Sequence, residues 1–197
     1  MSVRNVLTSG SMAVIIMSIV LCIAGCGGVK PKVYVNPNTN FGFIKRVAVL
    51  PFENLTSDRF ADKKVRDVFV TSLLSTKLID VPELGEVLKA LESQGITTPE
   101  AITGEVAKSL GQILGVQGLV LGTVEEYAVN RTMAGSVPEI AVSLRMIDAK
   151  TGNIIWSVSH TEKGGRILPT VFGIGEDTLS EVTVKAAKRI VDTLVYE

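Results

Sequence analysis

From Ile44 onward the chain switches between short apolar runs and amphipathic stretches, and each change of period marks an element. Arg46-Val47-Ala48-Val49-Leu50-Pro51-Phe52 is a β-rich run closed by proline and a polar loop, Glu53 to Ser57. That pattern predicts a buried strand. Thr56 or Ser57 is placed to cap the helix behind it, with Asp58 favourable in its first turn. Ala61, Val65, Val68, Phe69 and Ser72 share one face to about Ser75, and a short strand is expected over Leu78 to Val81. Pro82 and Glu83 open a second helix whose Leu84, Val87, Leu88 and Leu91 fall at i, i+3, i+4 and i+7, with Gly95 as its stop.

A third helix is expected from Pro99 to Leu114, with Ile102, Val106, Leu110 and Ile113 or Leu114 on one face. Gly118 to Tyr127 predicts a second long strand. Ile140 to Asp148 alternates through Ile140, Val142, Leu144 and Met146, and Ile154 to Thr161 returns beside it. Asp148-Ala149-Lys150-Thr151-Gly152 between them is a hairpin turn, with Gly152 at a positive-φ position. Residues 162–178 are irregular, and Leu179 to Tyr196 predicts a C-terminal helix with Thr183, Ala187, Ile190 and Leu194 inward. The order β-α-β-α-α-β-β-β-α implies an α+β fold, a mixed sheet with helices packed mainly on one face. There is no internal repeat.

The first 25 residues follow another rule. Arg4 is their only charge, and Met12 to Ile23 is almost wholly apolar. A basic start, an apolar run and a small-residue cleavage site make a secretory signal. A spanning helix needs about 20 apolar residues, and this run ends at Gly25-Cys26-Gly27-Gly28. Ile23-Ala24-Gly25-Cys26 fits a lipobox, with cleavage between Gly25 and Cys26 and acylation, palmitate included, of the Cys26 thiol. Cys22 lies in the apolar run and leaves with the signal, so the mature fold has no disulfide and must stand on packing. Gly27 rather than Asp follows Cys26, which leans toward the outer membrane, periplasmic side. The expected organisation is a signal peptide (1–25), lipidated Cys26 with a flexible tether (26–43) and one domain (44–197). Seventeen tether residues, 27–43, reach about 60 Å at most. Without Arg4, 19 basic residues face 20 acidic ones, so nucleic acid is a poor partner and membrane attachment is driven by lipid.

Three stretches resemble the periplasmic lipoprotein family that includes CsgG and LpoB, built on a domain similar to the TolB N-terminal one. They are Val47 to Asn54, Leu114 to Val124, and Ala141 to Asp148 with Thr151 to Ser157. The likeness covers 44–197 and the lipobox. It implies non-enzymatic work: a secretion-channel subunit in CsgG, an activator of a peptidoglycan synthase in LpoB. A shared barrel needs ~9–11 residues per strand, and the insertion from Ala128 to Glu139 is short for a hairpin of two. Reaching an inner-membrane synthase needs a longer tether than 27–43.

Catalytic chemistry finds little support in the residues. His160 is the only histidine, flanked by Ser157 and Ser159, but a hydrolase needs an acid and an oxyanion hole in space, and no nucleophile-elbow motif is present. One histidine and no free thiol argue against zinc. Glu125 and Glu126, adjacent in a strand, are expected on opposite faces. Gly111 to Gly122 lacks the Lys-Ser/Thr of a phosphate loop. Trp156 is expected in the core rather than as a partner anchor. The expectation is therefore an outer-membrane-anchored, non-enzymatic accessory subunit of an envelope assembly or secretion system, without cofactor or metal. Its partners are the membrane, other cell-envelope proteins and copies of itself; a CsgG-like channel subunit, an LpoB-like activator and an envelope hydrolase are the alternatives.

Overall fold

A computed structural model describes residues 29–98, 101–132, 135–164 and 177–195. The strands are β1 (Lys32–Val35), β2 (Val47–Val49), β3 (Glu53–Asn54), β4 (Gly118–Thr132), β5 (Gly135–Asp148) and β6 (Ile154–Lys163). The helices are α1 (Ala61–Ser75), α2 (Leu84–Ser93), α3 (Gly104–Leu114) and α4 (Leu179–Val195). The sheet runs β1-β6-β5-β4-β2, with β3 also on β4. β2 and β3 are parallel to β4, and the other pairs are antiparallel. The fold is thus α+β around one mixed, open sheet.

Side-chain alternation splits the core in two. Val47, Val49, Val120, Val142 and Trp156 point to the face covered by α1 and α4. Ala48, Leu50, Leu119 and Leu121 point the other way, against α2 and α3. The long helices therefore lie on one face, as expected. The α2–α3 pair covers the opposite face around β2, the start of β4 and the end of β5 at Ile147, and the rest of that face is polar.

Several expectations change at element ends. The stretch expected as a flexible tether contains β1, whose Val35 packs against the core. Val33-Tyr34-Val35 is a β-forming run hidden between Pro31 and Pro37. The strand expected over Leu78 to Val81 reduces to a parallel bridge between Arg46 and Asp80. There the Val47 amide donates to the Asp80 carbonyl at 2.9 Å, and the Asp80 amide to Lys45 at 2.8 Å. α1 starts at Ala61, because the preceding residues fold on themselves: the Asn54 amide donates to the Asp58 carbonyl, and Asp58 Oδ1 accepts from the Phe60 amide. α3 starts at Gly104 behind Thr103, whose hydroxyl accepts from the Val106 amide. Gly152, at φ 76, closes the β5–β6 turn, where Asp148 Oδ1 accepts from the Lys150 and Thr151 amides.

The largest difference lies between β4 and β5. The insertion expected from Ala128 to Glu139 continues both strands, with Ala128 opposite Glu139 and Thr132 opposite Gly135. β6 stops at Lys163, opposite Glu139. Beyond that level, among the described residues, the Gly164 amide donates to the Pro138 carbonyl, and the hairpin continues as a two-stranded arm. A bulge between Val124 and Glu126 shifts the register. Glu126 faces Ala141, and Glu125 accepts from the Ser143 hydroxyl at 2.6 Å. Both glutamates therefore lie on the polar face, not on opposite faces, since a bulge resets the alternation.

Candidate interaction surfaces

Gly25 and Cys26 lie outside the described residues, so their cleavage and acylation rest on sequence. The structure fixes where the chain leaves them. Arg189 Nη1 donates to the Val29 carbonyl at 3.1 Å, and Lys32 opposite Ser159 begins the outer strand. Only three residue steps separate Val29 from Cys26, about 10 Å at full stretch. The leash is far shorter than residues 27–43 suggested. The outer side of β1 carries exposed Val33 and Tyr34 and no neighbouring strand among the described residues.

His160 faces α4 and is 2% exposed. Its Nε2 lies 2.9 Å from Glu162 Oε2, which also meets Arg189 Nε at 3.2 Å. His160 Nδ1 is buried and has no partner among the described residues, which fits a ring carrying its hydrogen on Nε2. Ser157 and Ser159 pair with Arg145 and Ser143 on the opposite face. They cannot reach His160, which pairs with Glu162 on its own strand, and it is Glu162 that bonds to Arg189 on α4. Trp156 is fully buried, and its Nε1 donates to the Thr193 hydroxyl at 3.3 Å. Gly111 to Gly122 ends α3 and enters β4, the structural reading of those glycines. The stretch 162–178 falls largely outside the described residues.

What the sequence did not reveal is how apolar and cationic side chains gather at one pole. Leu55 donates its amide to the Val124 carbonyl, and α1 begins beside it. Phe60 is 46% exposed and Leu55 62%. Arg59 Cζ and Lys63 Nζ stand 5.3 and 5.6 Å from the Phe60 ring centre, and Lys64 Nζ 5.2 Å from that of Tyr127. Lys64 also pairs with Asp58 at 2.9 Å, which lowers the Asp58 pKa and raises that of Lys64. The only signal in sequence was an aromatic residue off the buried stripe of an otherwise polar helix start. The arm projects from the same pole, with Val129 and Arg131 exposed. At the other pole a cavity of about 730 Å³ opens between Asn36, Asn40, Gln112, Gln117 and Thr151. An apolar groove of about 270 Å³ runs between Leu50, Leu88, Leu91, Ile96 and Ile102. Its Leu88, placed on a buried face by periodicity, is exposed, whereas of the pair Ile113 or Leu114 on α3 it is Leu114 that is buried.

Comparison with known proteins points one way. The model of the family described as "Putative lipoprotein GNA1162-like" matches residues 45–193. PelC from Paraburkholderia phytofirmans, solved as a dodecamer, is 18% identical with a TM-score of 0.58, covering 84% of this chain and 96% of PelC. Lipoprotein GNA1162 from Neisseria meningitidis is 20% identical with a TM-score of 0.55, covering 78% of this chain and 99% of that one. The LpoB C-terminal domain from Salmonella enterica is 14% identical at 0.47, covering 64% and 85%, too distant to bear on function. No curated protein sequence matches the chain.

Proposed function

The chain belongs to the GNA1162-like lipoprotein family, and on that premise we propose that it is a non-enzymatic, lipid-anchored accessory subunit of an envelope assembly. The observation that carries this reading is the family match over 45–193, joined to a lipobox at Ile23 to Cys26. In this reading Cys26 is acylated, the mature chain starts there, and the domain is held at the periplasmic side of the outer membrane. The work is done by surfaces rather than by a reactive centre: His160 is sealed between β6 and α4, and no cluster of three metal-ligating side chains occurs among the described residues.

Self-association is the first contact to look for. PelC shares the fold and is a dodecamer, and the edge of β1, which has no neighbouring strand among the described residues, offers a second copy a place to add a strand. A channel of the CsgG kind receives less support from the arm. Four residues of each strand, 129–132 and 135–138, extend beyond β6, less than half of the ~9–11 that a bilayer-crossing strand needs.

The test is chemical crosslinking in native envelopes followed by affinity isolation of the lipidated protein. The reading expects a ladder of homo-oligomers together with defined envelope proteins. A monomer that captures neither itself nor any envelope protein would overturn it.

A further inference from the structure

We propose that the pole bearing the β4–β5 arm rests on the phospholipid surface that holds the lipid anchor. The inference deepens the reading above and depends on acylation of Cys26. It begins with heights along the sheet. Tyr127 on β4, Ile140 on β5 and Glu162 on β6 are register neighbours. Arg189 links the Glu162 carboxylate to the Val29 carbonyl. Val29 therefore stands level with Tyr127, at the base of the arm.

Two lengths start from that level. The leash from Val29 to Cys26 extends about 10 Å at most. The arm runs five residues on from Ile140 to Gly135, about 17 Å at strand rise. An acylated Cys26 holds the headgroup layer within the shorter length, while the arm reaches the longer. The arm tip thus enters the headgroup layer when the anchored pole faces the bilayer.

The exposed side chains suit that surroundings. Leu55, Phe60 and Val129 offer apolar tips. Arg59 and Lys63 flank Phe60, and Arg131 lies on the arm. None of these three cations has a carboxylate within ion-pair distance among the described residues, whereas Lys64 and Lys163 are paired to Asp58 and Glu139. Cations around exposed apolar tips match phosphodiester headgroups above acyl chains. The far pole instead presents Arg46 paired with Asp80.

The mature chain keeps no free thiol once Cys26 is acylated, so an introduced cysteine takes a unique label. Envelope-purified lipoprotein carrying Leu55→Cys, Val129→Cys or Leu78→Cys is labelled with an environment-sensitive fluorophore. It is then reconstituted into phosphatidylethanolamine/phosphatidylglycerol vesicles with or without doxyl-lipid quencher. Labels at 55 and 129 should shift to the blue and be quenched, and the far-pole label at 78 should stay water-like. Charge reversal by Arg59→Glu with Lys63→Glu should weaken quenching at 55 with the acyl chains still present by intact mass. Water-like labels at 55 and 129 on an acylated chain would overturn the docking alone. A blue shift without doxyl quenching would do the same, and would assign the pole to a protein neighbour. A chain without acyl groups would overturn the anchor reading and the docking with it.

Discussion

Arg66 is 6% exposed, yet its guanidinium meets main chain more closely than carboxylate. Nη2 donates to the Val49 carbonyl at 2.8 Å, and Nε to Val49 and Leu50 at 3.2 and 3.3 Å. Asp67 stands farther off at 3.4 Å, and burial lowers the arginine's pKa despite it. These bonds tie α1 to the point where β2 leaves the sheet. Arg66→Met should cost about 2–4 kcal/mol, because the two carbonyls lose a charged donor in a buried place. Urea unfolding followed by Trp156 emission measures it, and an unchanged midpoint would contradict the role. Nothing in sequence separated Arg66 from the solvent-facing charges of its helix, since a cation in an amphipathic pattern ordinarily points outward. Two carboxylates, half-buried Asp58 and exposed Glu181, act on acid stability. Asp58 is held below its ordinary 3.8 by the Lys64 ammonium and then the Phe60 amide. Glu181 is held below 4.5 by the Thr178 amide and hydroxyl, half of a reciprocal capping box on α4. Depressed values mean that both groups stabilise the fold above their unfolded pKa and lose that contribution as pH falls through the folded one. The double variant Asp58→Asn, Glu181→Gln should therefore lose less stability than the parent on acidification below 4.5. Identical acid slopes would refute this.

Among elements, those with a strong period were legible and those defined by a partner were not. α2 reads directly from Val87 and Leu91 and stops at Gly95, where φ is 67. The β5–β6 hairpin follows from alternation and the Asp148–Gly152 turn. β1 is four residues of a proline-flanked segment and exists by pairing with β6, which no local pattern announces. The arm escaped notice because Asn130, Arg131 and Pro138 break the apolar alternation that marks a buried strand. An exposed ribbon needs only cross-strand hydrogen bonds, and the Asn130 amide on Glu139 at 3.0 Å adds one between side chains. The glutamate pair was misplaced for a related reason, as a bulge is invisible to a period-two count. Gly122 shows how closely the elements approach. A Cβ there would lie 2.5 Å from Leu144 Cδ2 and 2.7 Å from the Phe52 ring. Gly122→Ala should destabilise by about 1–3 kcal/mol through overpacking. Thermal melting monitored by circular dichroism measures the cost, and a neutral melting point would show that the sheet gives way there.

At the scale of the whole molecule, one sheet with a core on each face places the chain's exit, the arm and the Phe60 cluster at a single pole. The sequence raises a lipid anchor at Cys26 as an expectation; it could not show that β1 shortens the stretch between Cys26 and the folded domain, because that shortening comes from tertiary pairing. The GNA1162-like family match confirms the lipoprotein part of the resemblance and names GNA1162 where the residues suggested CsgG and LpoB. On the proposal that Cys26 carries the anchor, the domain has little freedom to reach a distant partner, so its partners should lie at the same membrane. In the proposed reading Cys26→Ala should release the protein from the membrane fraction. Membrane retention of that variant would give the attachment to the protein surface alone. The most direct test is the intact mass of the protein purified from cell envelopes. The account predicts a chain that begins at Cys26 and carries a diacylglyceryl group with or without a third acyl chain; a chain retaining residues 1–25, or starting with an unmodified cysteine, would contradict it.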